Sequence, residues 1–301
     1  MKKLLSMLVA TLLVGLALSS AVFASSGDIG IDERYGKPKV VLGEALSEAE
    51  KDQVRNLLNV TDPEQVDEYI VTAEDLVNFI EDSDPSSNMY SSAKITRKSE
   101  GYGVVVNIVN PENITQVTNE MYANALLTAG IENALVEVAS PFKVTGHSAL
   151  AGVYKAFNVE GESLDKERME VANEELNVAT DLTNNAGVDE SKVSQLLTEI
   201  KQQIAEQNPA TKEDVERIVS EQLENLSIQL SAEDREMLTN LFEQMRNLNI
   251  NFGQVTEQLD TIVNDLQGKL NEVTGGDTEG FWQAVKDFFT NLIDSIRGLF
   301  S

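Results

Sequence analysis

The strand-forming pattern of this chain ends near residue 161, and helix-forming spacing alone follows it. Up to residue 158, short β-like runs alternate with helical stretches. That order predicts a compact layer over 39–158 with helices covering one face of a sheet. We therefore predict an α+β fold: a small mixed sheet with helices in an N-terminal head, followed by an all-helical C-terminal region with a heptad-bearing long helix.

The predicted strands of the head are short. They cover residues 39–42, 68–72, 92–98, 104–109 and 134–139. The third and fourth are joined by a glycine turn, Gly101-Tyr102-Gly103. Predicted helices begin with a capping-box pattern at Ser47 and stop near Asn59, then cover 73–81 and 115–129, and begin again at Gly146. Gly130 stands where a left-handed C-cap belongs.

The C-terminal half is predicted to be helical throughout. The helices are expected at 163–184, 189–207, 211–229 and, as one long segment, 232–273. The long segment carries an apolar seam with steps of three and four, formed by Leu238, Leu241, Met245, Leu248, Phe252, Val255, Leu259, Ile262, Leu266, Leu270 and Val273. Such a seam must be covered by another helix, in cis or in trans.

The chain opens with a pattern typical of a secretory signal peptide. Lys2 and Lys3 precede an uncharged apolar run, Leu4–Val22, and small Ala24 follows. Because the apolar run is almost long enough to span a bilayer, a retained anchor helix is the alternative. The predicted organisation is a signal peptide at 1–24, a disordered mature N-terminus at 25–38, the head at 39–158, a helical region at 159–230, a long heptad helix or helical hairpin at 231–274, and an amphipathic C-terminal helix at 275–301.

Composition excludes several classes of chemistry. The chain has no cysteine, which rules out disulfides, cysteine nucleophiles and cysteine-ligated metals. Its formal net charge is −27, and loss of the two leader lysines makes it −29. A chain this acidic is a poor partner for nucleic acid or anionic lipid. It favours basic partners and loosely bound divalent cations. We predict no cofactor.

No catalytic motif stands out. His147 is the only histidine, and its neighbour Ser148 cannot face it on a helix, so capping or a surface role is the preferred interpretation. Gly146 lacks a phosphate-binding lysine pattern, and the start Asp82-Ser83-Asp84 fails as an EF-hand because Pro85 follows. Paired carboxylates for hydrolysis stay open, because such pairs meet only in the fold.

Several motifs resemble a known family. They are Ser91-Ser92-Ala93-Lys94-Ile95-Thr96, the run from Val117 to Ile131, Ser140-Pro141-Phe142-Lys143-Val144-Thr145-Gly146, and Ala149-Leu150-Ala151-Gly152. Together with Val40-Val41-Leu42-Gly43 they resemble the DUF1002 family of exported proteins of Gram-positive bacteria. The resemblance covers about 40–207. It implies export but no activity and no ligand residues, because the family's function is unknown.

The preferred functional interpretation is a non-enzymatic exported protein of the cell envelope, extracellular or wall-associated. It would act by protein–protein or envelope contact through its helical region, with self-association or an envelope protein as the partner. The predicted contact residues are Leu259, Ile262, Leu266, Phe281, Trp282, Phe288 and Phe289. The alternatives are a secreted hydrolase of cell-wall polymers that uses carboxylates, and a peripheral membrane protein anchored by the amphipathic helix at 278–300.

Overall fold

The computed structural model describes residues 34–81, 83–159, 161, 164–248, 250, 252, 258–259 and 261–262. The predicted signal peptide, the amphipathic C-terminal helix and most of the predicted disordered N-terminus lie outside these residues, so those three expectations stay predictions. Among the residues described, no helix combines the length and apolar character needed to cross a membrane.

The head is built on one mixed five-stranded sheet. Its strands are β1 (Lys39–Gly43), β2 (Asp67–Val71), β3 (Ser92–Arg97), β4 (Val104–Ile108) and β5 (Ala134–Ala139). They lie in the order β2-β1-β3-β5-β4, with β1 parallel to β2, β4 parallel to β5, and the two remaining pairs antiparallel. All five predicted strands are present, so the predicted α+β class with a small mixed sheet is confirmed.

The two strands joined by the glycine turn are not neighbours. Strand β5 lies between β3 and β4, although the turn at Gly101 and Gly103 is present and both glycines have positive φ values of 84° and 79°. β5 bonds antiparallel to β3 and parallel to β4. Ala134, Val136 and Val138 of β5 are fully buried, as expected for an interior strand whose face is packed against helices. As a result, β4 becomes an edge strand.

Helices of the head pack on both faces of the sheet, so the prediction that they cover one face is wrong. They are α1 (Glu48–Leu57), α2 (Ala73–Phe79), α3 (Asn119–Thr128) and α4 (Ser148–Asn158). Val54 of α1 packs on Val40 and Leu42 of β1 in a separate small cluster. α3 and α4 cover the opposite face. α3 begins at Asn119 and not at Thr115, because the Thr118 hydroxyl caps it by accepting the Met121 N–H at 3.2 Å.

The C-terminal helices share the main core of the head. They are α5 (Lys166–Asn184), α6 (Glu190–Gln207), α7 (Lys212–Asn225) and α8 (Ala232–Asn247). α5 and α6 pack on α3, while α8 packs on α5 and α7. The seam residues Leu238, Leu241 and Met245 of α8 are at most 1 % exposed. This part of the predicted seam is therefore covered in cis.

Helix α8 is shorter than predicted. It begins where expected but ends at Asn247, with Leu248 as its C-cap, so the predicted single helix to residue 273 is not formed, and the alternative prediction of a helical hairpin stays a prediction. The chain then turns, and the ring of Phe252 becomes buried with the Lys201 ammonium 5.7 Å from its centre. Phe252 thus packs into the protein's own core, beside Lys201 of α6. Gln258, Leu259, Thr261 and Ile262 are again helical, and most of the remaining predicted segment lies outside the described residues.

Candidate functional site

In the edge strand β4, the backbone N–H and carbonyl groups of every second residue point away from β5. The Ala134 N–H donates to the Gly103 carbonyl, and the Val109 N–H donates to the Val138 carbonyl, so odd-numbered residues face β5. The backbone groups of Val104, Val106 and Ile108 therefore point outward. The outer N–H groups at the two ends are bonded to side-chain amides.

Those two amides come from distant parts of the chain. The Val104 N–H donates to Gln258 Oε1 at 3.1 Å, and the Ile108 N–H donates to Asn119 Oδ1 at 2.9 Å. Each amide oxygen occupies the place that the carbonyl of a further strand would take. Between them, Val106 lines a groove of about 490 Å³. The turn at 100–103 and residues of α3 also line this groove.

The wall of this groove is acidic and partly aromatic. Glu100, Glu120 and Glu132 line it from the turn, from the first turn of α3 and from the loop after α3. Tyr102 and Val105 are each 43 % exposed and offer apolar surface beside the carboxylates. The volume is in the range of ligand sites, and the mixture of carboxylate, ring and backbone groups suits an organic cation or a basic peptide. We call this site the β4 groove.

Two cations lie near the groove without lining it. The Lys98 ammonium is 5.3 Å from the centre of the Tyr102 ring. The Arg168 guanidinium donates to the carbonyls of Thr128 and Leu127, at 2.8 and 3.1 Å. Burial lowers the pKa of Arg168, and the charges of Asp165 and Glu132 oppose that shift. Arg168 is therefore held by the end of α3, close enough to Glu132 for the two charges to interact.

A second polar cluster lies in the core between α3, α5 and α6. The Lys201 ammonium pairs with the Glu175 carboxylate at 2.5 Å, with side chains 0 and 1 % exposed. Lys201 also donates to the backbone carbonyl and to Oδ1 of Asn124, at 2.9 and 3.1 Å. The Thr128 hydroxyl donates to Glu175 Oε2 at 2.6 Å. Since the cluster is closed to solvent, we assign it a role in joining the helices.

His147 has a structural environment. It occupies the N-cap position of α4, but its side chain makes no capping bond. Instead, its Nε2 lies 3.4 Å from Thr180 Oγ1 of α5. Burial lowers the pKa of His147, and the charge of Asp181 opposes that shift. The Ser148 hydroxyl points elsewhere and lies 2.6 Å from Ser91 Oγ, so the structure does not assemble a serine–histidine pair there.

Gly146 and Asp84 belong to two further motifs that the sequence analysis considered as ligand sites. The Gly146 carbonyl accepts a bond from the Tyr122 hydroxyl at 2.6 Å, and Gly146 has a φ of 109°, so the glycine serves close packing. Asp84 accepts bonds from the backbone and hydroxyl of Ser86, which lower its pKa. Across the described part of the chain, no three histidine, aspartate or glutamate side chains are grouped so that they could hold a metal ion.

The predicted contact residues divide into two groups. Leu259 and Ile262 lie in the protein's own core, at 0 and 7 % exposure, and Ile262 also lines the β4 groove. The others, Leu266, Phe281, Trp282, Phe288 and Phe289, lie outside the described residues, and their role stays a prediction.

Sequence reasoning did not identify the β4 groove. Its parts are spread from Glu100 to Ile262, and the chain has 50 acidic residues, so three glutamates carry no local signal. The nearest sequence signal is the turn Glu100-Gly101-Tyr102-Gly103, in which an acid precedes a ring that stands between two glycines.

Comparison with known proteins gives a family but no activity. A family model described as "Protein of unknown function (DUF1002)" matches residues 42–262. The chain is also similar to a protein described as "Uncharacterized protein YpuA" from Bacillus subtilis (strain 168). The two are 32 % identical over 275 residues, which cover 89 % of this chain and 91 % of that protein. No solved structure matches the chain.

Proposed function

The chain belongs to the DUF1002 family of proteins of unknown function, and from its own residues we propose that it is a non-catalytic protein of the bacterial cell envelope that binds a cationic partner. The binding surface in this proposal is the β4 groove. The observation that carries the proposal is that Glu100, Glu120 and Glu132 all line one groove, beside an exposed tyrosine and an edge strand.

Charge and accessibility support the choice of a cation. The formal net charge of −27 creates a field that attracts cations to the whole surface, and a groove with carboxylates on its wall concentrates that field locally. The seam residues of α8 are buried in the protein's own core, whereas Tyr102 and Val105 are exposed to solvent. The described head thus offers a contact surface that differs from the helical region favoured by the sequence.

Neutralising the groove should weaken binding of a cationic probe. We expect the triple variant Glu100→Gln, Glu120→Gln, Glu132→Gln to bind a short lysine-rich peptide about five- to thirtyfold more weakly, because each exposed charge pair contributes roughly 0.3–0.7 kcal/mol. Titration calorimetry at low salt measures the change. Added salt should reduce binding by the wild type more than binding by the variant.

A variant of α7 provides the matched control. Glu213→Gln, Glu216→Gln, Glu224→Gln removes the same charge from exposed positions, and Glu213 occupies the second helical position of α7, as Glu120 does in α3. We expect this control to bind nearly as well as the wild type. Equal weakening by both triple variants would show that net charge acts alone, and the groove proposal would then be wrong.

One observation favours hydrolysis of cell-wall polymers as the second candidate. Such hydrolysis needs two carboxylates beside a cleft, and three glutamates line the β4 groove. The same triple variant separates the two functions. Release of soluble fragments from purified cell wall by the wild type, and its loss in the groove variant, would favour the hydrolase.

The envelope location in this proposal comes from the leader pattern. If Met1–Ala24 is an export signal, the protein isolated from outside the cytoplasmic membrane should begin at Ser25. Mass spectrometry of the N-terminal peptide from separated cell fractions measures this directly. A chain that begins at Met1 and stays in the interior fraction would contradict the location.

A further inference from the structure

We propose that the β4 groove binds its partner by strand addition: an extended peptide segment that carries lysine or arginine side chains pairs with the outer edge of β4. This inference rests on the proposed function, since it specifies the class of cationic partner. The partner would become a sixth strand of the sheet.

The edge is already arranged like half of a strand pair. Gln258 Oε1 and Asn119 Oδ1 accept from the N–H groups of Val104 and Ile108, which lie four residues, or roughly 13 Å, apart on one strand. Between them, the backbone N–H and carbonyl of Val106 point the same way. An extended peptide supplies carbonyl and N–H groups with this repeat, so it can bond to Val106 and replace the two side-chain amides.

The side chains around the edge select the composition of the peptide. Alternate side chains of an added strand point to opposite faces of the sheet. On the open face they meet Val105, which is 43 % exposed, and at the end of the strand they meet Tyr102 and Glu100. Glu120 and Glu132 line the remaining wall. The carboxylates in the lining of the groove therefore favour a peptide with lysine or arginine side chains over an acidic one.

The same charges argue against a second copy of the chain as the occupant. Pairing of two β4 edges would bring two sets of three groove glutamates together, on chains that each carry a formal charge of −27. Like charges brought together at an interface oppose association. A basic segment of another protein meets no such cost.

Backbone methylation separates strand addition from attraction by charge. The full chain is titrated with a synthetic peptide of roughly nine residues that alternates lysine and valine, and with the same peptide N-methylated at every second residue on either register. Methylation leaves the side chains and their charges in place but removes the N–H donors. We expect methylation on the pairing register to weaken binding about tenfold or more. Saturation with the unmethylated peptide should also slow amide hydrogen exchange at Val106.

The outcomes distinguish the two proposals. Equal binding by all peptides, sensitive to the groove variant and without slower exchange at Val106, would overturn strand addition and leave the cation-binding function standing. Absence of binding by every peptide would overturn both proposals. Slower exchange at Val106 together with selective loss on one methylation register supports strand addition.

Discussion

Replacing Lys201 by methionine should lower the free energy of unfolding by about 3–5 kcal/mol, because it leaves a buried carboxylate without its cation. The Lys201–Glu175 pair is 0 and 1 % exposed, and Lys201 also satisfies two oxygens of Asn124. Burial lowers the pKa of Lys201, while Glu175 opposes that shift. Because Lys201 of α6 contacts Asn124 of α3 and Glu175 of α5, its removal affects three helices at once.

Two further variants make this result specific. Lys166 forms an exposed pair with Glu170 at 3.6 Å, and Lys166→Met should change stability by less than about 0.5 kcal/mol. The double variant Lys201→Met, Glu175→Gln should regain at least about 1 kcal/mol over the single one, since the uncompensated charge is gone. Urea denaturation at pH 7 measures all three. A single variant as stable as the wild type would show that the buried pair does not hold α3, α5 and α6 together.

Replacing Glu199 by glutamine should stabilise the protein at alkaline pH by up to about 3 kcal/mol. Glu199 is 4 % exposed, and burial raises its pKa to about 7 from a usual value of 4.5. The folded protein therefore keeps a proton that the unfolded chain releases between these two values. The free energy of unfolding of the wild type falls as pH rises through this window, and the full decrease is reached above pH 7.

Glutamine keeps the local geometry and removes the titration. Its side-chain oxygen can still accept the bond from Gln195 Nε2, which lies 2.7 Å from Glu199 Oε1. The difference in unfolding free energy between variant and wild type should be near zero at pH 4.5 and largest at pH 8. Glu216→Gln on the exposed side of α7 should show no such trend. A difference that stays constant with pH would contradict an elevated pKa.

Local elements were predictable wherever their signals lie within a few residues. The capping box at Ser47 is formed by Glu50 Oε2, which accepts from the backbone N–H and the hydroxyl of Ser47. Gly130 has the expected positive φ, at 91°, after the end of α3. Caps and turns depend on atoms of neighbouring residues, so a single chain segment determines them.

Features that depend on distant segments were not predictable. The place of β5 between β3 and β4 depends on backbone pairing with two strands from earlier parts of the chain. The burial of Phe252 depends on Lys201 of α6, whose ammonium lies 5.7 Å from the centre of its ring. The β4 groove depends on Gln258, which reaches Val104 across 154 positions of the chain. The spacing of hydrophobic residues predicts which side chains are buried, but it does not predict which element packs against them.

The sequence by itself determined the α+β class, the five strands, the order of the helices and the acidic, cysteine-free character of the protein, because these follow from local periodicity and composition. Only the tertiary structure decided that the helices α5–α8 share the core of the head and that Lys201 and Glu175 pair there. It also decided that three glutamates line the groove beside edge strand β4. The physical reason is that burial and charge pairing arise between segments that meet only in the folded chain. The residue spacing within one segment does not identify the segment that it will contact.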